Sequence, residues 1–300
     1  MNWQRPRNWR GPRRERDWGR QRQQREQQQQ EQKKEEHVEE RTAPAGEIVY
    51  QAVYREGEHE LDRGSWELMW SGVAAGLSMG FSLVTEALLR SYVPDAPWRP
   101  LVTKLGYSVG FLIVILGRQQ LFTKNTLTVM LPLLRKKEGG IFRNVARLWV
   151  VVFLANFVGA LAFTLFIAKT NVFSSSVHTV FRDIASEGLH ESFLVAMLNA
   201  ILAGWLIALM IWLLPFAETA RVGVIILLAY ILGLGHFSHI VAGAVPTLYL
   251  LFTGGMSFGE WFSLFLAPVL LGNVIGGVAL VAVGAHAEFV YEAEPDQQPS

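Results

Sequence analysis

The sequence predicts an all-α membrane protein, with six transmembrane helices in two inverted three-helix repeats and a break in the second and fifth helices. Three observations predict this. From residue 64 onward the chain is almost continuously apolar, and it holds about six windows of the roughly 20 residues that a helix needs to span a bilayer. Two of those windows, the second and the fifth, are interrupted by polar residues, glycine or proline. The third and sixth share a small pattern: Asn156 is followed by Gly159 and Ala160, and Asn273 by Gly276 and Gly277. Backbone that leaves the helix at membrane depth survives only inside protein or beside a wet cavity. Interruptions at corresponding places in two halves point to inverted repeats that meet at the midplane. With three spans per half, the halves point in opposite directions.

Composition divides the chain. Of the 300 residues 51% are hydrophobic, but the mean hydropathy of +0.24 averages two unlike parts. Residues 1–63 are polar and charged. Arg5, Arg7, Arg10, Arg13, Arg14 and Arg16 are interspersed with Trp3, Trp9 and Trp18, and a Gln/Glu-rich run follows. Such a segment cannot bury enough apolar surface to offset its ordering entropy, so a disordered cytoplasmic tail is expected. Its arginines suit anionic headgroups and its tryptophans the membrane interface; no nucleic-acid partner is expected. A short amphipathic stretch, Glu47 to Arg63, is expected to lie along the membrane. No apolar core follows the basic start, which argues against a signal peptide. The absence of cysteine excludes disulfides, thiolate metal sites and a cysteine nucleophile. The organisation predicted is a tail over 1–63, a membrane domain over 64–285 and a short cytoplasmic tail over 286–300.

Each span has its own reason. The first runs from Trp66 to Tyr92, and Gly72, Gly76 and Gly80 recur every fourth residue, giving one helix face that permits close contact. The second begins as Leu101 to Gln120, meets the polar sequence LFTKNTLT and resumes as Val129 to Leu134. The third is Leu148 to Ala168, the fourth Phe193 to Leu214, the fifth the broken Val222 to Phe252, and the sixth Trp261 to Val283. The basic loop with Arg135, Lys136, Lys137 and Arg143, taken with the Arg-rich tail, puts both termini in the cytoplasm. Arg221 then lies outside, against the rule.

The breaks carry the chemistry. The fifth span is interrupted at Gly235 to Tyr249, GHFSHIVAGAVPTLY, with two histidines at a depth where ionisable groups default to function. The structural alternative is a kinked helix with a hydrogen-bonded core histidine. Helix ends aimed at a shared space favour anions at their N–H groups. Thr123 offers a hydroxyl and Asn125 an amide from the first break, and His239 an imidazole from the second. A histidine changes charge within the physiological range, so it can stabilise a small anion or hand it a proton. Tyr107, Phe111 and Leu121 suit a dewetting constriction, or ordinary core packing.

The stretch LFTKNTLTVMLPLLRKKEGGIFRN, followed by Trp149 and ANFVGAL, resembles the second-span break, cytoplasmic loop and third span of the formate/nitrite transporter family. FSHIVAG, Phe237 to Gly243, is similar to that family's histidine-bearing break, and GNVIGG to its last span. The resemblance covers residues 65–285. It implies an aquaporin-like homopentamer in a bacterial inner membrane, each protomer with its own pore for small monovalent anions or their acids, and no cofactor. It puts Thr123 and His239 at a central site, with Leu121, Phe122, Tyr107 and Phe111 at constrictions; Asn156 and Asn273, singled out by the repeated pattern, complete the expected pore set. The chain departs from the family in three places. Gly204 stands where the family has an asparagine in its fourth span. Gly188, with His190 nearby, stands where a lysine is expected. Gln120 replaces an acidic residue before LFT. Lys124 is a candidate for the missing positive charge. His236 competes with His239, which is preferred for its FxHxxA context.

A passive or proton-coupled anion pore is therefore expected. A neutral-solute pore of the same fold, and an interaction protein acting through its tail, are the alternatives. An enzyme is disfavoured: Ser238 and His239 are adjacent, which rarely gives triad geometry, and no HExxH or P-loop spacing occurs.

Overall fold

The computed structural model describes residues 46–136, 139–189 and 192–278. Both tails beyond these bounds, the end of the sixth span, Lys137 and His190 therefore lie outside the described residues. Everything described is helix and connecting loop. Among the described residues five helices are long and apolar enough to cross a membrane: α2 (Ser65–Tyr92), α3 (Arg99–Leu116), α6 (Gly139–Lys169), α8 (Phe193–Phe216) and α11 (Phe258–Gly277). The fifth expected span is divided into α9 (Arg221–Leu234) and α10 (Ala244–Phe252), each too short to count by itself. The remaining helices are α1 (Gly46–Asp62), α4 (Phe122–Thr128), α5 (Met130–Lys136) and α7 (Ser175–Glu187).

Glycine contact organises the long helices. A Cβ at Gly76 of α2 would collide with the Asn156 carbonyl of α6, and one at Gly159 of α6 with the Val73 carbonyl of α2. The pair α8 and α11 is built the same way: a Cβ at Gly276 would collide with the Ile201 carbonyl, and one at Gly204 would stand 2.5 Å from the Asn273 carbonyl oxygen. Without a hydrophobic drive between helices in lipid, such backbone approach supplies the packing. Gly204, expected at a pore position, is thus a helix–helix contact. Long apolar side chains such as Phe81, Leu154, Val158, Leu198 and Leu202 point outward, where lipid or another protein surface would meet them.

The interruptions are shorter than the sequence suggested. The first spans residues 117–121, and most of LFTKNTLT is helical as α4. The second spans 235–243, and the AVPTLY segment already belongs to α10. At the first break the helix resumes early because a side chain from another helix caps it: the Phe122 N–H donates to Asn156 Oδ1 (2.9 Å), satisfying a donor that a helix start leaves unpaired. At the second, the Ile240 N–H, in the turn before α10, donates to Asn273 Oδ1 (2.8 Å).

Two further helices lie outside the expected spans. The amphipathic stretch expected over Glu47 to Arg63 forms α1, which packs into the membrane domain by burying Tyr50, Val53, Tyr54 and Leu61. It is anchored by Arg147 Nη2, which donates to the carbonyls of Leu61 (2.9 Å) and Arg63 (3.1 Å). The connection after α6 contains α7. There Phe181 is fully buried and His178 Nδ1 lies 2.7 Å from the Tyr249 hydroxyl. In α11 a π-helical turn, Phe262–Leu266, precedes Pro268. Proline has no N–H to give the preceding turn, and a widened turn is one way to absorb it.

Candidate functional site

The two breaks bring together residues far apart in sequence. His239 Nε2 lies 2.7 Å from Thr123 Oγ1, and both residues are buried. His239 Nδ1 accepts the backbone N–H of Ala242 at 3.0 Å, so Nδ1 carries no proton. The neutral ring then holds its proton on Nε2 and donates it to Thr123 Oγ1, since the bond at one nitrogen sets the state of the other. Thr126 Oγ1 in turn donates to the Thr123 carbonyl (2.7 Å). The Phe111 ring packs edge-on against the imidazole, with centroids 5.1 Å apart, and the Tyr107 ring lies tilted against Phe111 at 5.5 Å.

Two cavities lie nearby: one is bordered by Leu121 and Lys124, on either side of Thr123 in sequence, and the other by His239 itself. The first, about 360 Å³, is bordered by Leu121, Lys124, Arg118, Arg221 and Glu56 among others. The second, about 70 Å³, is bordered by His239, Tyr107, His236, Gly188, Glu86 and Lys104 among others. Thr123 and Phe111 are fully buried and border neither.

Other expected residues have different surroundings. Phe122 turns into an aromatic cluster with Phe153 and Trp149, at 5.2 and 6.1 Å, rather than toward a cavity. The amides of Asn156 and Asn273 are committed to backbone. Asn156 Nδ2 donates to the carbonyls of Gly72 and Gln120, both at 2.8 Å, and Asn273 Nδ2 to those of Ala200 (2.8 Å) and Ser238 (2.9 Å). Asn125 Nδ2 donates to Gln120 Oε1 at 2.8 Å, while its own Oδ1 is buried without a hydrogen-bond partner.

Charge reaches the site from places the sequence did not indicate. Gln120, which stands where an acid was expected, donates from Nε2 to Glu60 Oε2 of α1 at 2.6 Å. Lys124 Nζ contacts Glu56 (2.9 Å) and Glu60 (3.1 Å), so it is paired rather than a lone positive charge. Burial alone would push the Glu56 carboxyl up, but Lys124 overrides it and holds the group below the usual carboxylate range. Beside Gly188, where a lysine was expected, the second cavity has Lys104 of α3, 2.5 Å from Glu86 of α2. Both are buried. An ionisable residue inside a predicted span was a usable signal for Glu86.

A family model for formate/nitrite transporters matches residues 47–287. Inner membrane protein YfdC of Escherichia coli (strain K12) is 36% identical over 250 residues, covering 83% of this chain and 81% of that protein. Formate channel BtFdhC of Bacillus thuringiensis is 30% identical, covering 69% of this chain and 80% of its own. In fold, the chain is similar to a pentameric formate channel solved with formate bound (TM-score 0.66, 24% identity, 76% of this chain and 98% of that one). It is also similar to an FNT family ion channel (TM-score 0.69, 20% identity, 83% and 99%). The family match makes this helical membrane scaffold that of a channel or transporter rather than an enzyme. The chain belongs to the formate/nitrite transporter family.

Proposed function

We propose that the protein is a channel for small monovalent anions of the formate or nitrite kind. The observation that carries this is the buried Thr123–His239 contact where the two helix breaks meet, with His239 in the wall of one cavity and the neighbours of Thr123, Leu121 and Lys124, in the wall of the other. Its neutral-ring geometry suggests how an anion is received. Thr123 Oγ1 accepts the Nε2 proton, which leaves its own hydroxyl hydrogen free to donate to a passing oxyanion. A hydrogen bond to a charged group is stronger than one between neutral groups. Proton delivery by His239 requires a doubly protonated ring, and that form must first give up the Ala242 N–H at Nδ1. A passive donor role therefore fits this geometry, and coupling to protons calls for a rearranged second break.

Tyr107, Phe111 and Leu121 act as the apolar constriction on either side of the pair. The two three-helix sets are inverted repeats, a reading supported by the matched asparagine bonds and the matched glycine contacts. The apolar outer faces, with the pentameric assembly of the structural relative, support a homopentamer. The inner membrane, with both termini cytoplasmic, is the location that the basic connections favour.

Proteoliposomes compared in parallel with formate, nitrite, acetate, hydrosulfide and a neutral solute test the reading. Formate or nitrite flux above that of empty liposomes is expected. Passage of the neutral solute alone, with no anion current, overturns it in favour of a neutral pore.

A further inference from the structure

Among the described residues three other than glycine have a positive φ: Arg118 (49°), Glu218 (38°) and His236 (50°). Two of the three occupy the same place in the two breaks. In the first, the N–H of Arg118 donates to the Ile115 carbonyl (3.1 Å) and that of Gln119 to the Val114 carbonyl (2.9 Å). In the second, the N–H of His236 donates to the Gly233 carbonyl (3.3 Å) and that of Phe237 to the Leu232 carbonyl (3.0 Å). These are two copies of the paired-bond helix ending whose left-handed position normally takes glycine.

Glycine is present in both turns, but one residue too early. Gly117 and Gly235 have φ of −74° and −79°, which any residue adopts. They are there for space: a Cβ would stand 2.6 Å from the Ile113 carbonyl oxygen or from the Phe237 ring. The strained position itself carries an arginine in one break and a histidine in the other. Non-glycine residues in this region persist where function retains them.

Each side chain borders its own cavity. Arg118 lies in the wall of the first, with Lys124, Arg221 and Glu56, three cations against one carboxylate. His236 lies in the wall of the second, where Lys104 and Glu86 cancel, so His236 decides the sign of the charge there. The ionisable groups facing this second wall are Glu86, Lys104, Tyr107 and His239. Glu187 of α7, paired with Arg90 of α2 at 2.6 Å, also lies within electrostatic reach of His236.

We infer that Arg118 and His236 are charge-selectivity residues, one in each cavity, held toward the permeating anion by matched left-handed turns. The inference rests on the anion-channel reading and adds two residues outside the central pair. A cavity lined by one sign of charge raises the local concentration of counter-ions. The Arg118 cavity is then permanently attractive, and the His236 cavity becomes so only on acidification.

Full-length Arg118→Gly, Arg118→Asn, Arg118→Lys, His236→Gly and His236→Asn are reconstituted, and their permeability to formate is compared with that to formamide, a neutral molecule of similar size. Glycine and asparagine tolerate the left-handed turn, so these variants keep or raise the thermal midpoint. The formate-to-formamide ratio is expected to fall about three- to tenfold, in the Arg118 variants at pH 5 and pH 8 alike and in the His236 variants at pH 5 alone, while Arg118→Lys keeps most of it. His236→Gly should also remove the rise in formate flux between about pH 8 and pH 5, where a histidine gains charge. Stable glycine variants with the wild-type ratio and pH profile overturn the inference and leave the anion channel standing. A wild type that passes formamide but neither formate nor nitrite overturns both.

Discussion

Asn156 and Asn273 make the same three hydrogen bonds in the two breaks. Each accepts a backbone N–H with Oδ1, from Phe122 or Ile240, and each donates from Nδ2 to the carbonyl two residues earlier, Gln120 or Ser238. The second Nδ2 bond goes to the partner helix, at Gly72 or Ala200. One side chain thereby pairs three backbone groups that would otherwise lie bare in a dry interior.

Replacing either asparagine should therefore cost stability before it alters transport. Asn156→Ala and Asn273→Ala each strand buried polar groups, at about 1–3 kcal/mol apiece. Asn156→Asp keeps the acceptor for Phe122 but loses both donations, so it should be no better tolerated than alanine. Thermal melting in detergent reads the effect, and a melting point equal to wild type in both alanine variants would remove the bracing role.

Thr123→Val keeps the shape of the side chain and removes the oxygen that receives the His239 proton. Formate flux is expected to fall about tenfold or more, the scale of one hydrogen bond to a charged group. Thr123→Ser, which restores the oxygen, should recover most of it. Assembly read by size-exclusion chromatography should be the same for both. Normal flux in the valine variant would exclude the hydroxyl from the path.

His239→Ala removes the Nε2 donor and leaves the Ala242 N–H without its acceptor. Selectivity among formate, nitrite and acetate should change, as should the pH profile of flux. Transport identical to wild type at every pH from 5 to 8 would rule out a role for the ring.

The hold of α1 on the first break should be acid-sensitive. Because the Glu56 carboxyl is depressed in the folded protein, mainly by Lys124 acting against the upward push of burial, its contribution is complete above the unfolded value of 4.5. It is lost only as pH falls through the lower folded value. Amide protection factors in α1, which correct for the pH dependence of intrinsic exchange, should thus be high at pH 7 and fall below the ordinary carboxylate range. Lys124→Met should speed α1 exchange already at pH 7, because Glu56 and Glu60 both lose their ammonium partner. Equal exchange in variant and wild type would show that apolar packing alone secures α1.

The sequence by itself determined where the apolar segments lie, that the second and fifth are interrupted, and that glycine lines one face of the first. These features are local. The cost of bare backbone in lipid and the need for close helix approach leave a direct mark on composition and spacing. Only the tertiary structure decided where each helix resumes, because the cap on Phe122 comes from Asn156, 34 residues away. It also decided that residues 46–62 fold into the domain, with Glu60 supplying a carboxylate to Gln120 across 60 residues. The same holds for Lys104 beside Glu86 and for the left-handed turns at Arg118 and His236. Long-range hydrogen bonds, ion pairs and backbone strain depend on which segments meet in space, and such meetings have no periodicity along the chain.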